Sequence, residues 1–410
     1  MKPLILVDFS HLFSRNVFVA INQSNPRKEN GKYITEEFSP QLKHLLFNSL
    51  QYIKNMFKGE MLLALDSQNN WRKDFYSDYK GTRAKGKEDG DLNWDEVYCV
   101  IDEIVGAIQE NFPFKVLKVP KTEADDIGGT LSSLLGNERP VILVTSDHDW
   151  LQNLTHGEYV KMYDPIKKEY VDLTDWEHTI INTPAGSMSR FTAMHSLQGD
   201  SGDNVPKVTF ETEFSSNFIS YLKENNITSE DVEEVKNMSI YEELIEKYNV
   251  FSKIKSGKRK GEVKLDYHIW YKLNDGTLIK KDDYVKNNMT CDFEVVEVPE
   301  KDIFKSVNFG DKKAKSVVET EESLNNFLNS HKLYMKNFLF SNTLVDFDKI
   351  PEELKKNIID AYNECNIKYN PQGMLSYFME NNLGQHVNQL AKFHDLSCEK
   401  HSTSSLDDFF

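Results

Sequence analysis

At 410 residues, with 39% hydrophobic and 12% aromatic content, the chain can bury a sizeable core in two or three domains, which excludes a disordered protein. No run approaches the ~20 apolar residues of a membrane span, and the four scattered cysteines (Cys99, Cys291, Cys365, Cys398) exclude a cysteine-held zinc and fit a reducing cytoplasm. The net charge of −16 argues at first against nucleic acid, but residues 71–87 carry six cations against two anions, and a second basic run, KIKSGKRKGEVK, occupies 253–264.

The opening MKPLILVDFSHLF is an apolar run broken by Asp8 with no small-residue cleavage site, so a first strand is expected rather than a signal peptide. Further apolar runs predict strands over Met61–Leu65, Val116–Val119, Val141–Val144 and Tyr159–Tyr163, after the first over Leu4–Val7. Helical periodicity lies between them, as over Gln41–Phe57 and Trp94–Asn111, and this alternation predicts an α/β fold with a mainly parallel central sheet over roughly residues 1–200. From about 210 the chain turns polar and helix-prone. A β-rich stretch with an Asn-Asp-Gly turn signal follows at 261–299, helices return from about 310 to 396, and the sequence closes on SSLDDFF.

Several strands end in a carboxylate, and the strand ends of open α/β sheets are where sites form. VILVTSDHDW places Asp147 and Asp149 just past Val144. Taken alone, this is an ordinary strand–turn–helix with a cap. KTEADDIGG adds Glu123, Asp125 and Asp126 in one helical turn, where the helix dipole offers only ~0.3–1 kcal/mol per charge against their repulsion. GDSGDN adds Asp200 and Asp203 about a turn, and Asp8 and Asp66 follow the first two strands. Nine carboxylates, with no cysteine pair and no evident histidine cluster, suit hard cations: two Mg²⁺ with Mn²⁺ as a substitute, ~3.5–4 Å apart, as used to cleave phosphodiesters. In 71–83, the aromatics Trp71, Phe75, Tyr76 and Tyr79 interleave with Arg72, Lys73, Lys80 and Arg83, a grip suited to single strands.

VDFSHLF, LALDS with WRKDFYSDYKGTR, EADDIGG, VTSDHDWLQNL and GDSGDN, in this order over residues 1–206, resemble the successive motifs of the 5′ nucleases, the flap endonucleases and 5′→3′ exonucleases. Residues 342–384 resemble the end of the T-even phage ribonuclease H branch of that family. The resemblance implies a PIN-like nuclease domain over 1–206, a helical arch near 71–93, and metal ligands among Asp8, Asp66, Glu123, Asp125, Asp126, Asp147, Asp149, Asp200 and Asp203. It implies catalytic roles for Lys80, Arg83 and Asp149, and nucleic-acid contacts from Arg15, Arg72, Lys73, Tyr76, Tyr79, Lys80, Arg83, Lys85 and Lys87. The family's glycine-rich hairpin is missing after Asp203; VNFGDKKAKSVVE, with Gly310, Lys312, Lys313 and Ala314, resembles a remnant of it, which implies an insertion at 207–306 and a helical DNA-binding part at 307–396. The competing reading is a degenerate motif, since phage ribonuclease H members also lack a full hairpin. The tail over 397–410 resembles a clamp-docking peptide anchored by Leu406, Phe409 and Phe410.

The expected function is removal of RNA primers and 5′ flaps from nicked or RNA-primed duplex DNA during lagging-strand replication. The protein is expected to be a cytoplasmic, phage-like monomer with a sliding clamp and single-strand-binding protein as partners and no membrane association. The rival readings are a PIN-type endoribonuclease, which has less need of an arch; a non-catalytic DNA-junction or clamp-binding module, which would lack metal-site carboxylates; and, more remotely, a phosphatase with an aspartate nucleophile.

Overall fold

The computed structural model describes residues 1–208, 310–330 and 332–393, together with seven short strands between 213 and 305. A six-stranded sheet is ordered β5-β4-β1-β6-β7-β8, where β1 is Leu4–Asp8, β4 Glu60–Ala64, β5 Lys115–Leu117, β6 Val141–Val144, β7 Val160–Asp164 and β8 Glu169–Val171. The two numbers skipped are a small hairpin, β2 (Lys28–Glu29) and β3 (Lys32–Tyr33). All neighbours are parallel except β7 and β8. The five strands expected from the apolar runs therefore form the sheet, in the mainly parallel arrangement their spacing predicts. The edge strand β8, only EYV, carries too little pattern to be read.

Strand β1 is buried on both faces, and its period of two divides the core. Ile5 and Val7 pack among residues of α1 (Phe9–Ser24), α2 (Thr35–Phe57) and α5 (Trp94–Asn111). Leu4 and Leu6 pack on the other face with Ile127 and Leu131 of α6 (Ala124–Leu135) and with Trp150. Helix α2 begins six residues before the apolar periodicity at Gln41 suggests. Pro40 reads as a boundary in sequence, but it lies in the helix's second turn and is accommodated there.

The helical C-terminal region completes both faces. Met374, Phe378 and Phe393 enter the first cluster and Ile358 and Tyr362 the second. A third cluster joins α8 (Arg190–Gln198) to residues beyond the expected insertion, with Ala193, Leu197 and Val208 packing against Ala314, Val317 and Phe338. Within 207–306, Glu213–Phe214 pairs antiparallel with Phe304–Lys305, and Ile269–Leu273 pairs antiparallel with both Leu278–Lys280 and Phe293–Glu297. No helix among the described residues is long and apolar enough to cross a membrane.

Candidate functional site

Parallel pairing in the order β4-β1-β6 aligns the carboxyl ends of three strands, where Asp8 ends β1 and the segments leaving β4 and β6 carry Asp66 and Asp147. Asp8 accepts from the His11 backbone N–H at 2.9 Å and the Thr145 hydroxyl at 3.0 Å, so its side chain is fixed by neutral donors. Asp66 accepts from the Ala124 N–H at 2.8 Å, which seats the start of α6 beside β4. Asp125, from that first turn, accepts from the Trp150 indole at 2.7 Å. Asp147 caps the 3₁₀ turn His148–Thr155 by accepting from the Asp149 N–H at 3.0 Å. Asp200, after α8, accepts from the Gly202 N–H at 2.6 Å.

Among the described residues, no lysine or arginine forms an ion pair with Asp8, Asp66, Asp125, Asp147, Asp149 or Asp200. Their charges therefore act on one another. Burial, with Asp66 and Asp147 nearby, pushes the Asp8 carboxyl up to about 7. Enclosure, with Asp147, Asp200 and Asp203 around it, pushes Asp149 up to about 6 against the pull of His195. Burial and Asp147 raise Asp125 well above the usual carboxylate range. Such a cluster is the donor chemistry of a divalent-cation site. Two groups have donor atoms close enough to share an ion, all within 4.8 Å of one another: Asp8, His11 and Asp147; and Asp149, His195 and Asp200. Both include a histidine, which corrects the expectation of purely carboxylate ligands. His11 lies one helical turn after Asp8, a spacing that could have revealed it. His195 is five residues before Asp200 and gives no such signal.

The other three carboxylates in the expected ligand set are already paired with cations. Asp126 is fully buried; it accepts from the Arg72 guanidinium at 2.8 Å and the Trp71 indole at 3.3 Å, and closes a capping box on the Glu123 N–H at 2.9 Å. Both of its oxygens are engaged in these bonds, and none of its surface is exposed. Glu123 meets Lys80 Nζ at 2.5 Å, Arg72 at 3.4 Å and the Tyr79 hydroxyl at 3.1 Å, and these cations hold its carboxyl below the usual value despite burial. Asp203 meets Arg83 at 2.6 Å, Tyr79 at 3.1 Å and Lys80 at 3.5 Å. Glu123 and Asp203 thus reach a cation only if Lys80 and Arg83 turn away.

The segment expected to form an arch folds into α3 (Trp71–Phe75) and α4 (Gly81–Asp89). Lys80 sits between them at φ +55°, a left-handed bend that points its ammonium inward. Burial opposes the charge on Lys80, yet Glu123, Tyr79 and Asp203 raise its pKa well above the usual value. Arg83 is about half exposed. Arg72 and Tyr79, expected to touch nucleic acid, are 1% and 3% exposed. Arg72 also donates to the Leu344 carbonyl at 2.7 Å and so ties the arch base to the C-terminal region. Both side chains are thus enclosed by the fold in this structure.

Lys73 is exposed and Tyr76 half-buried, its ring against Phe340. Lys87 is exposed, donating to the Tyr98 hydroxyl at 2.7 Å over the Trp94 ring. Arg15 lines a recess with Asp8, His11 and Ser146. Lys312 and Lys313 lie on the helix Asp311–Val317, which Gly310 caps. The Lys85 side chain, most of the basic run 253–264, and the tail with Leu406, Phe409 and Phe410 lie outside the described residues.

The glycines of EADDIGG serve packing. A Cβ on Gly128 would come within 2.6 Å of the Trp150 ring, and one on Gly129 within 2.8 Å of Phe347. The indole that orients Asp125 therefore needs the close approach that Gly128 permits.

Residues 3–181 match the family model described as the 5′-3′ exonuclease, N-terminal resolvase-like domain. The chain is similar to the ribonuclease H of Enterobacteria phage T4, 24% identical over 220 residues, covering 52% of this chain and 65% of that protein. It is also similar to the DNA polymerase I of Lactococcus lactis subsp. cremoris, 28% identical over 213 residues, covering 50% of this chain and 22% of the polymerase. The chain thus spans under two thirds of the phage protein and about a fifth of the polymerase. Among solved structures it is similar to the T5 D15 protein co-crystallized with metal ions, at 15% identity and a TM-score of 0.41, over 96% of this chain and 100% of that one. The parallel sheet and most of the carboxylates beyond its strand ends lie within the matched segment, which is similar over residues 3–181 to the 5′-3′ exonuclease N-terminal, resolvase-like domain.

Proposed function

We propose that this chain is a divalent-cation-dependent 5′→3′ exonuclease and flap endonuclease with ribonuclease H activity, removing RNA primers and 5′ flaps in DNA replication. One observation carries the reading: six carboxylates without a lysine or arginine partner gather at and beyond the strand ends, while Lys80 and Arg83 pair with Glu123 and Asp203 from the same carboxylate set. The donor set fits divalent cations, Mg²⁺ foremost, held by Asp8, Asp66, Asp125 and Asp147 on one side and Asp149 and Asp200 on the other. When bound, the cations supply an activated water and steady the leaving oxygen of the cleaved phosphodiester. Lys80 and Arg83 exchange Glu123 and Asp203 for the scissile phosphate and neutralise it. Tyr76 and Lys73, at the arch base, guide the 5′ strand.

On this reading residues 1–206 form the nuclease domain. Residues 207–306 are an insertion whose two ends pair as Glu213–Phe214 and Phe304–Lys305. Residues 307–396 bind duplex DNA through Lys312 and Lys313, and 397–410 dock on a sliding clamp in the cytoplasm of an infected host, with single-strand-binding protein as a further partner. The protein acts as a monomer.

The test uses a 5′-labelled flap and an RNA-primed duplex with Mg²⁺ or EDTA, comparing wild type with Asp149→Asn. Mg²⁺-dependent release of short 5′ products, reduced more than ~100-fold in the variant, is the expected result. Tight binding of both substrates without cleavage would instead favour a junction-binding module.

A further inference from the structure

The histidine in the second ion-sharing group has no counterpart in an oxygen-only site. His195 sits in the last turn of α8, its ring edge-on to Phe191 at 6.3 Å between centroids. Its Nδ1 stands 3.7 Å from Asp149 Oδ1, too far for a hydrogen bond. Among the described residues, neither ring nitrogen has a hydrogen-bond partner. Two donors on one octahedral ion with bonds of ~2.1 Å stand between about 3 and 4.2 Å apart, so the spacing suits two ligands of a shared ion. Asp200 supplies a third donor within 4.8 Å of both. The C-terminal end of α8, where the helix dipole is negative, points at the same place.

We propose that the imidazole of His195 completes the cation site at Asp149 and Asp200, making it a mixed nitrogen–oxygen site that takes Mn²⁺ in preference to Mg²⁺. Imidazole is a good ligand for transition metals, whereas Mg²⁺ keeps to oxygen and water. The site at Asp149 and Asp200 then bears a nitrogen that selects a softer cation, and His11, beside Asp8 and Asp147, is the other imidazole within reach of an ion. This rests on the reading of the cleft as a cation site.

The experiment titrates Mn²⁺ into the full chain, with bound ion counted by electron paramagnetic resonance and ligand nitrogen read by electron spin-echo modulation. Wild type should show nitrogen modulation, and His195→Leu should lose it. The variant's Mn²⁺ affinity at that site should fall by about 10–100-fold, with Mg²⁺ affinity nearly unchanged. Retained Mg²⁺ binding also shows that the variant is folded, and His195→Gln, closer in size and polarity, should reproduce the loss. Mn²⁺ bound without nitrogen modulation in wild type would overturn the proposal and leave the cation site standing. Modulation that survives in His195→Leu would assign the nitrogen to His11 and overturn it equally. No Mn²⁺ bound at all would overturn both.

Discussion

Asp125 and Asp126 are adjacent in the first turn of α6, yet they belong to regions with opposite electrostatics. Asp126 is fully buried on the side where Arg72, Lys80 and Arg83 neutralise three carboxylates, Asp126, Glu123 and Asp203. Asp125 belongs with the carboxylates beyond the strand ends, where neutral N–H and O–H groups orient five of the six without cancelling their charge. The same residue type one position apart is paired with a cation in one region and left without one in the other. Abundance of acid does not distinguish them; the location of the cations does.

The largest expected effect comes from removing the cation of the compensated pocket. Arg72→Met leaves Asp126 buried without its cation and takes one of two cations from Glu123, so the chain should lose about 3–5 kcal/mol of stability, read by denaturant unfolding. If stability is unchanged and only DNA affinity falls, the division into two regions is wrong and Arg72 belongs to the interface.

The uncompensated cleft makes the reverse prediction. A carboxyl whose folded pKa is raised binds its proton more tightly in the folded chain, so its stabilising contribution is complete below its usual pKa and is lost as pH climbs. With Asp8 near 7 and Asp149 near 6, the EDTA-treated protein should show a melting temperature that falls between pH 5 and 7.5. Mg²⁺ should restore it, and do so more strongly at pH 7.5 than at pH 5.5, because it competes with those protons. Asp8→Asn should raise the metal-free melting temperature at pH 7.5 and flatten the slope. A metal-free protein that grows more stable with rising pH would mean that the cleft charges are compensated after all.

The sequence carried much of the fold and part of the site. Continuous apolar runs are what a parallel sheet covered on both faces requires, so the strands were legible from Leu4 to Asp164. The aspartates were legible because they follow those strands. What is not written locally is which acid meets which base: Arg72 finds Asp126 across 54 residues and the Leu344 carbonyl across 272. An arginine among aromatics reads as a nucleic-acid contact until the fold buries it. His195 was illegible for a related reason, since only the crossing of α8 past the turn at Asp149 brings the two together.

The smallest effect separates residues 72 and 73. Lys73 is the neighbour of the buried arginine but is exposed on α3 and anchors nothing in the core. Lys73→Ala should leave stability within ~0.5 kcal/mol, as is usual for surface changes. If the side chain meets one phosphate of the strand entering the arch, the slope of log affinity against log salt should become shallower by about 0.7–0.9. Cleavage of substrate already bound should proceed at the wild-type rate, since Lys80 and Arg83 face the carboxylates and Lys73 does not. An unchanged salt slope would remove Lys73 from the strand's path and leave Lys80 and Arg83 as the arch's phosphate contacts. A slower single-turnover rate with an unchanged slope would place Lys73 with its neighbour, acting through the packing of the arch base.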